Sequence, residues 1–162
     1  MTRETTGLTG EREDHQGIGV RPARDADAPE LARLSGELGY PAGAAEMRRR
    51  LALIETRADH AVFVAERDRP DGRILGWIHV GYGIQLESGE SAEILGLVVD
   101  PSGRRSGTGR RLVAAAEAWG VALGLARIVV CSNAAREESH RFYPAIGYAL
   151  AKTQRVYLKR LG

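Results

Sequence analysis

The spacing of apolar residues separates a helical beginning of the chain from a strand-rich middle. Between Asp25 and Glu55 apolar side chains recur every three or four residues, and Gly39-Tyr40-Pro41 interrupts the pattern. Such spacing is typical of amphipathic helices, and an aspartate before the first turn is a good N-cap. The sequence predicts two helices, the second over 44–55. Their apolar faces are Leu31, Leu34 and Leu38, then Met47, Leu51 and Ile54.

The middle of the chain contains dense apolar runs at residues 61–65, 74–82 and 92–99. A turn signal at 69–72 and a loose connection at 83–89 separate them. With a short run at 19–22, they predict four strands, the last three forming a meander. The composition of the run at 92–99 predicts a strand that is buried on both faces.

The final third alternates between helical and strand-like patterns. It predicts a helix at 108–123, a strand at 127–131, a helix at 134–143 and a strand at 148–158. The element order predicts an α/β fold of the mixed α+β kind, with helices on the faces of a mixed sheet. Residues 1–17 are polar and aperiodic, which predicts a disordered tail before a single domain at 18–162.

Composition adds mainly exclusions. The net charge of +2 is too small to favour nucleic acid or a membrane surface as a partner. Cys131 is the only cysteine, so no intrachain disulfide is possible, and as a small hydrophobe it is expected to be buried. The scattered histidines suggest no metal site. Without a long apolar segment, the expected location is the cytoplasm. The dominance of arginine over lysine suggests a GC-rich bacterial genome.

A loop rich in glycine and arginine joins the strand at 92–99 to the helix at 108–123. It reads Asp100-Pro101-Ser102-Gly103-Arg104-Arg105-Ser106-Gly107-Thr108-Gly109-Arg110-Arg111. The first N–H groups of a helix lack internal partners and lie at its positive end, so the loop predicts a phosphate site. Glycines allow the backbone to approach the anion. No Lys-Ser/Thr pair follows Gly109, which excludes a nucleoside-triphosphate P-loop.

Three motifs in this order resemble the GNAT superfamily, the acyl-CoA-dependent N-acyltransferases. They are Arg104-x-x-Gly107-x-Gly109, then Ser132-Asn133, then His140-Arg141-Phe142-Tyr143 with Gly147-Tyr148. The resemblance covers about residues 20–161. It implies a GNAT-like fold, a central, mostly antiparallel sheet of six to seven strands flanked by about four helices.

The resemblance also implies how acetyl-CoA, the cosubstrate, would be held. The backbone of Leu97, Val98 and Val99 would pair with the pantetheine arm as an added strand would. The pyrophosphate would lie in the backbone of Arg104, Arg105, Ser106, Gly107, Thr108, Gly109 and Arg110, with the arginines adding charge. Asn133 would contact the pantetheine or a bridging water. From its position it could also simply cap the next helix, and the two roles are compatible.

Two residues are candidates for the chemistry. The family places a tyrosine at Tyr143, where a protonated phenol would donate to the leaving thiolate; a core aromatic is the alternative. Glu93 is the candidate general base, and strict alternation would put it on the face of Leu95, Leu97 and Val99. The alternative for Glu93 is an exposed strand-end carboxylate or a partner for an arginine. Glu90 and His79 are reserves, His79 being more typical of a satisfied core histidine.

The expected function is transfer of an acetyl group from acetyl-CoA to a primary amine of a small molecule or peptide, by direct attack in a ternary complex. The alternative is a non-catalytic acyl-CoA-binding module. Aminoglycosides, polyamines, lysine side chains and aminoalkylphosphonates all remain open as acceptors, with walls expected at 38–51 and 82–90. No nucleic acid or membrane partner is expected, and the family suggests a homodimer, often through C-terminal strands.

Overall fold

The computed structural model describes residues 17–68 and 72–162. This part of the chain contains five strands and four α-helices. The strands are β1 (Ile18–Pro22), β2 (His60–Arg67), β3 (Ile74–Gln85), β4 (Gly89–Val99) and β5 (Ile128–Val130). The helices are α1 (Ala28–Glu37), α2 (Ala44–Glu55), α3 (Thr108–Ala122) and α4 (Glu137–Ala145). Short 3-10 turns at Asp25–Asp27 and Pro101–Gly103 precede α1 and follow β4.

The strands form one sheet in the order β1-β2-β3-β4-β5. The first three pairings are antiparallel, and β5 pairs parallel to β4. This confirms the predicted mixed, mostly antiparallel sheet. The parallel pair is joined through α3, as a crossover connection requires.

Helices cover both faces of the sheet. On one face, α1 and α2 pack through Leu34 and Leu51 onto Val64 of β2 and Val98 of β4. On the other, Leu112 and Ala116 of α3 pack against Ile78 and the rest of that face. Burial of these apolar side chains on both sides is the main stabilising contribution to the fold.

A β-bulge in β4 changes which residues share a face. His79 of β3 is opposite Gly96, but the next residue, Val80, is opposite Ile94, so Leu95 is the extra residue. Such an insertion interrupts strict alternation. Leu97 and Val99 consequently pack on the α3 face. The side chain of Glu93 lies across Gly83, on the face covered by α1 and α2. The expectation that Glu93 shares a face with Leu97 and Val99 is wrong.

Several boundaries differ from prediction. The β3–β4 connection is a tight hairpin with only residues 86–88 outside the strands, because β3 and β4 extend into the predicted loose loop. Strand β4 is not buried throughout, since Leu95 is 50% exposed. The predicted tail at 1–17 lies outside the described residues apart from Gly17, whose carbonyl accepts from the Asp68 N–H. The predicted turn at 69–72 is outside them except for Gly72.

The predicted last strand, 148–158, is wrong. Residues 149–162 belong to no strand and are exposed throughout. Their weak alternation of apolar and polar residues is compatible with a β-strand. A strand forms, however, only where a neighbouring strand supplies hydrogen bonds. The described sheet therefore has five strands where six to seven were expected. No helix in residues 17–68 or 72–162 combines the length and apolar character needed to cross a membrane.

Candidate functional site

Strands β4 and β5, the last two strands of the sheet, separate partway along β4. Their pairing ends at Ile94 and Val130, while β4 continues to Val99. Over Leu97–Val99, β4 is hydrogen-bonded to β3 on one side only. The opposite edge presents backbone N–H and C=O groups that have no strand partner among the described residues. An extended chain with amide groups can pair with such an edge.

The loop after this edge is fixed by Asp100, which sequence analysis did not identify as functional. Its carboxylate is 4% exposed and accepts from the backbone N–H and hydroxyl of Ser102. Arg33 of α1 and Arg73 beside β3 lie 2.8 and 3.1 Å from it. Burial alone would raise the pKa of Asp100, but these hydrogen bonds and charges outweigh burial and lower it. A charged anchor thus holds the start of the loop.

The loop leads into the N-terminus of α3, where the first backbone N–H groups have no partner within the helix. Arg105 and Gly107 adopt left-handed backbone conformations, with φ of 62° and 80°. The Arg111 N–H donates to the Gly107 carbonyl, so the first-turn amides of Thr108, Gly109 and Arg110 precede the helix's own hydrogen bonds. These amides and the helix dipole make a site suited to a phosphate.

Side chains around this N-terminus divide into two groups. Arg104, Arg105 and Arg110 are exposed and can add positive charge; Arg104 lies 3.6 Å from Glu138. The Ser106 hydroxyl donates to the Gly103 carbonyl and bonds the Thr108 hydroxyl at 2.8 Å. The hydroxyls of Ser106 and Thr108 are therefore engaged inside the loop.

Gly109 lies where α4 packs on α3. A Cβ at this position would be 3.2 Å from the Phe142 ring and 3.6 Å from Val99. Gly107, by contrast, has open space at the same point. The missing side chain at Gly109 therefore admits Phe142, and only Gly107 fits the predicted role of leaving space for an anion.

Tyr143 follows Phe142 and stands beside it and Tyr148, at ring-centre distances of 5.2 and 5.5 Å. Burial raises the pKa of Tyr143, against a smaller opposing effect of the Arg136 charge. The phenol has no protein hydrogen-bond partner within residues 17–68 and 72–162, and its oxygen is not enclosed. It is a protonated donor available to a ligand.

The turn between β5 and α4 carries Asn133 and Arg136. The Asn133 carboxamide oxygen accepts from the Ala135 N–H inside this turn, and its NH₂ group remains a donor. The N-cap of α4 is Arg136, so the expectation that Asn133 caps the next helix is wrong. Arg136 donates from Nη2 to the Leu38 carbonyl at 2.6 Å. This bond joins α4 to the connection between α1 and α2, and sequence analysis gave no signal for it.

Two titratable groups lie on the α1–α2 face near the divergence. Glu93 leans over Gly83, towards the hairpin end of the sheet. His79 is opposite Gly96 at the bulge, and its Nε2 is 2.9 Å from Nδ1 of His60. Burial and the neighbouring His60 lower the pKa of His79 to about 4. The histidine is satisfied by a partner, as expected, but the partner is another histidine.

Other candidates lie elsewhere. Glu90 accepts from the Tyr82 hydroxyl at 2.6 Å near the hairpin tip. It is seven residues before Leu97, roughly 23 Å along β4, so this hairpin does not border the open edge. Cys131 is exposed, contrary to expectation, because it follows the end of short β5. The described residues contain no group of three potential metal ligands.

The fold has known relatives among solved structures. The aminoglycoside N-acetyltransferase AAC(6')-Iy in complex with CoA matches 90% of this chain and 96% of its own, with a TM-score of 0.79 and 19% identity. AAC(6')-Ih from Acinetobacter baumannii matches 90% and 100%, with a TM-score of 0.77 and 18% identity. At these identities the matches establish the fold.

A plant enzyme gives a similar match. Glucosamine-6-phosphate N-acetyltransferase from Arabidopsis thaliana covers 88% of this chain and 98% of its own, with a TM-score of 0.74 and 20% identity. A search of curated proteins found no match. The model of the acetyltransferase (GNAT) family matches residues 28–148. This range includes β4, β5, α4 and the glycine- and arginine-rich segment at 100–111, which we call the anion loop. The chain therefore belongs to the GNAT acetyltransferase family.

Proposed function

We propose that this protein transfers an acetyl group from acetyl-CoA to a primary amine of a small molecule or peptide. One observation carries the proposal: the free edge of β4 leads directly into the open N-terminus of α3. An extended amide chain attached to a pyrophosphate matches both features in one continuous path. Pantetheine supplies the amides, and the nucleotide part of CoA supplies the phosphates.

The binding residues follow from that path. Backbone groups of Leu97, Val98 and Val99 would pair with pantetheine. The amides from Arg104 to Arg110 would hold the pyrophosphate, with the exposed arginines contributing charge-assisted hydrogen bonds. The free NH₂ of Asn133 lies on the β5 side, where it would donate to the pantetheine. Related folds support the ligand: AAC(6')-Iy has been solved with CoA and with a bisubstrate analogue of CoA and acetylneamine.

The chemistry would take place where the strands separate. The amine attacks the thioester carbonyl, a C–N bond forms, and the C–S bond then breaks. Tyr143 would give its proton to the departing thiolate, since its raised pKa keeps the phenol protonated at neutral pH. Two groups on the α1–α2 face are candidates to accept the amine proton, Glu93 and His79.

The competing function is an acyl-CoA-binding module without turnover. Both functions use the same cosubstrate site, but only an enzyme requires a donor beside the thioester. The uncommitted hydroxyl of Tyr143 therefore favours the enzyme.

An acetyl-CoA thiol-release assay across amine classes tests the proposal. The panel is kanamycin, spermidine, glucosamine 6-phosphate, aminomethylphosphonate and a lysine-containing peptide, with CoA binding measured in parallel by calorimetry. Turnover with at least one amine is expected. Binding without turnover across the panel would support the module instead, and failure to bind CoA would remove both functions.

We also propose a homodimer. Strand β5 pairs only with β4 among the described residues, so its other edge is open. Residues 149–162 belong to no strand, and Leu150, Val156 and Leu158 in this segment are 87, 94 and 88% exposed. In a dimer, residues 149–162 of each copy would pair with the open edge of β5 in the other copy. This reciprocal pairing gives a closed arrangement with two-fold symmetry. We further propose that the protein is located in the cytoplasm.

Light scattering of the full chain and of a chain ending at Tyr148 tests the dimer. The full chain is expected at twice the monomer mass and the shortened chain at the monomer mass. A full-length monomer at all concentrations would overturn the proposed dimer.

A further inference from the structure

The most unusual titratable cluster in the described chain is the pair His60 and His79. His60 opens β2, His79 lies in the middle of β3, and their rings are 5.2 Å apart between centres. Gly81 makes this pairing possible, because a Cβ there would be 2.9 Å from Cε1 of His60 and 3.0 Å from Leu95. A glycine in the interior of a strand weakens it, so the close approach of these rings has a cost in stability.

The position of His79 connects the pair with the reaction. His79 is opposite Gly96, the residue at the β4 bulge, and the open edge of β4 begins just beyond it. Adjacent strands are about 4.8 Å apart. The ring of His79 thus stands one strand away from the point at which β4 leaves β5, on the face not occupied by α3 and α4.

Glu93 is less well placed on that face. Its carboxylate lies against Gly83, two residues further from the bulge than Gly81. Leu95 covers Gly81 and therefore lies between Glu93 and His79. The carboxylate leans towards the hairpin, away from the separating strands.

We propose that His79 is the group that takes the proton from the acceptor amine, and that His60 relays it to solvent; this rests on the proposed function. In the tautomer where Nε2–H of His79 donates to Nδ1 of His60, Nδ1 of His79 is left as an acceptor. That nitrogen has no hydrogen bond within residues 17–68 and 72–162 and is not enclosed.

The proton balance closes along this pair. As the C–N bond forms, the amine N–H bond breaks and its proton binds Nδ1 of His79. The Nε2 proton of His79 moves to Nδ1 of His60, and the Nε2 proton of His60 leaves to water. His60 lines a cavity of about 330 Å³ between α2 and the start of β2, which gives that proton an exit.

Few charges face the pair. On the β2 side the ion pair of Arg57 and Asp59 lies next to His60, and Glu55 lines the same cavity. Strand β4 contributes Glu93 at a distance. Helices α1 and α2 bring apolar side chains, including Leu51, to this face. Burial and the neighbouring His60 lower the pKa of His79, so the His79 ring is neutral at pH 7 and can accept a proton.

The test combines kinetics with a measurement that needs no turnover. Long-range ¹H–¹⁵N NMR of the full-length protein at pH 7 is expected to show His79 protonated at Nε2 and bare at Nδ1. With the best amine of the panel, His79→Gln is expected to lower kcat about 100-fold with the KM for acetyl-CoA unchanged. His60→Gln is expected to lower kcat less, because water can replace a relay.

Control variants distinguish a failure of the His79 proposal from a failure of the proposed acetyltransferase function. His140→Gln changes an exposed histidine of α4 and is expected to leave kcat unchanged. Imidazole is expected to restore part of the activity of His79→Ala, and His79→Asn serves if Gln fails to fold. His79 is not the base if the kcat of His79→Gln stays within twofold of the unchanged protein. The same conclusion follows if Glu93→Gln lowers kcat 100-fold and His79→Gln does not. If no amine turns over, the proposed function fails, while a His79 protonated at Nδ1 overturns the relay itself.

Discussion

Arg136 donates a 2.6 Å hydrogen bond to the carbonyl of Leu38, 98 residues earlier in the chain. The bond ties the turn before α4 to the C-terminus of α1, where the connection to α2 begins. Arg136 also lowers the pKa of Tyr143, against the larger effect of burial. One guanidinium therefore links the surroundings of Tyr143 to the connection between α1 and α2.

Arg136→Gln is expected to loosen the connection between α1 and α2. A hydrogen bond from a charged group contributes about 1.5–3 kcal/mol, so the amide of Tyr40, which bonds the Ser35 carbonyl, is expected to exchange about tenfold faster. Hydrogen exchange followed by NMR or mass spectrometry measures this. Arg141→Gln is the matched control, because Arg141 is on the same helix but 83% exposed. Equal exchange in both variants would mean that the bond does not hold the connection.

Tyr143→Phe is expected to lower kcat about 100-fold and to leave the affinity for CoA close to that of the unchanged protein. The substitution removes only a hydroxyl that has no protein partner among the described residues, so the edge-on contact with Phe142 and the tilted contact with Tyr148 remain. Steady-state kinetics and calorimetry measure the two quantities. Tyr148→Phe is the control, since its hydroxyl is engaged by Glu117 at 3.1 Å. An unchanged kcat in Tyr143→Phe would exclude the acid role.

Local signals in the sequence were sufficient for most elements. The period of Met47, Leu51 and Ile54 predicted α2 with the bounds that the structure has, and Gly124 marked the end of α3 within two residues. The glycine loop predicted the open helix N-terminus. These features depend on neighbours in the chain, which a sequence pattern records directly.

The remaining features depend on distant contacts. Alternation in β4 could not reveal the bulge at Leu95, because a bulge is defined by the partner strand. The sequence around Asp100 does not predict its ion pairs, because Arg33 and Arg73 are distant from it in the chain. His60 and His79 come together only through the β2–β3 register. For residues 149–162 the alternation was real, but the described chain provides no strand beside them.

Acid is expected to destabilise the protein in two steps. The folded-state pKa of His79 is about 4, below its usual 6.5, so its neutral form contributes stability that is present above pH 6.5 and lost as pH falls towards 4. Asp100 has a lowered pKa, so its contribution is present above pH 3.8 and lost below it. Urea unfolding at pH 7, 5.5 and 4.5 is expected to show a decline that His79→Gln flattens and Asp100→Asn does not. An unchanged decline in His79→Gln would place the first step in another group.

The two glycines of the anion loop are expected to respond differently to valine. Gly107→Val puts a β-branched side chain at φ 80° in front of the amides, which costs about 1–2 kcal/mol in strain and is expected to abolish CoA binding.

Gly109→Val is expected to weaken CoA binding too, but also to push Phe142 and hence Tyr143 away. Overpacking of this kind costs about 1–3 kcal/mol, so Gly109→Val is expected to lower kcat with residual CoA bound. Calorimetry gives the affinities, thermal unfolding gives the stabilities, and Gly124→Val, at the far end of α3 with the same positive φ, controls for strain alone. If Gly107→Val bound CoA normally, the amides of α3 would not be the phosphate site. If Gly109→Val lost only affinity, the contact with Phe142 would have no part in placing Tyr143.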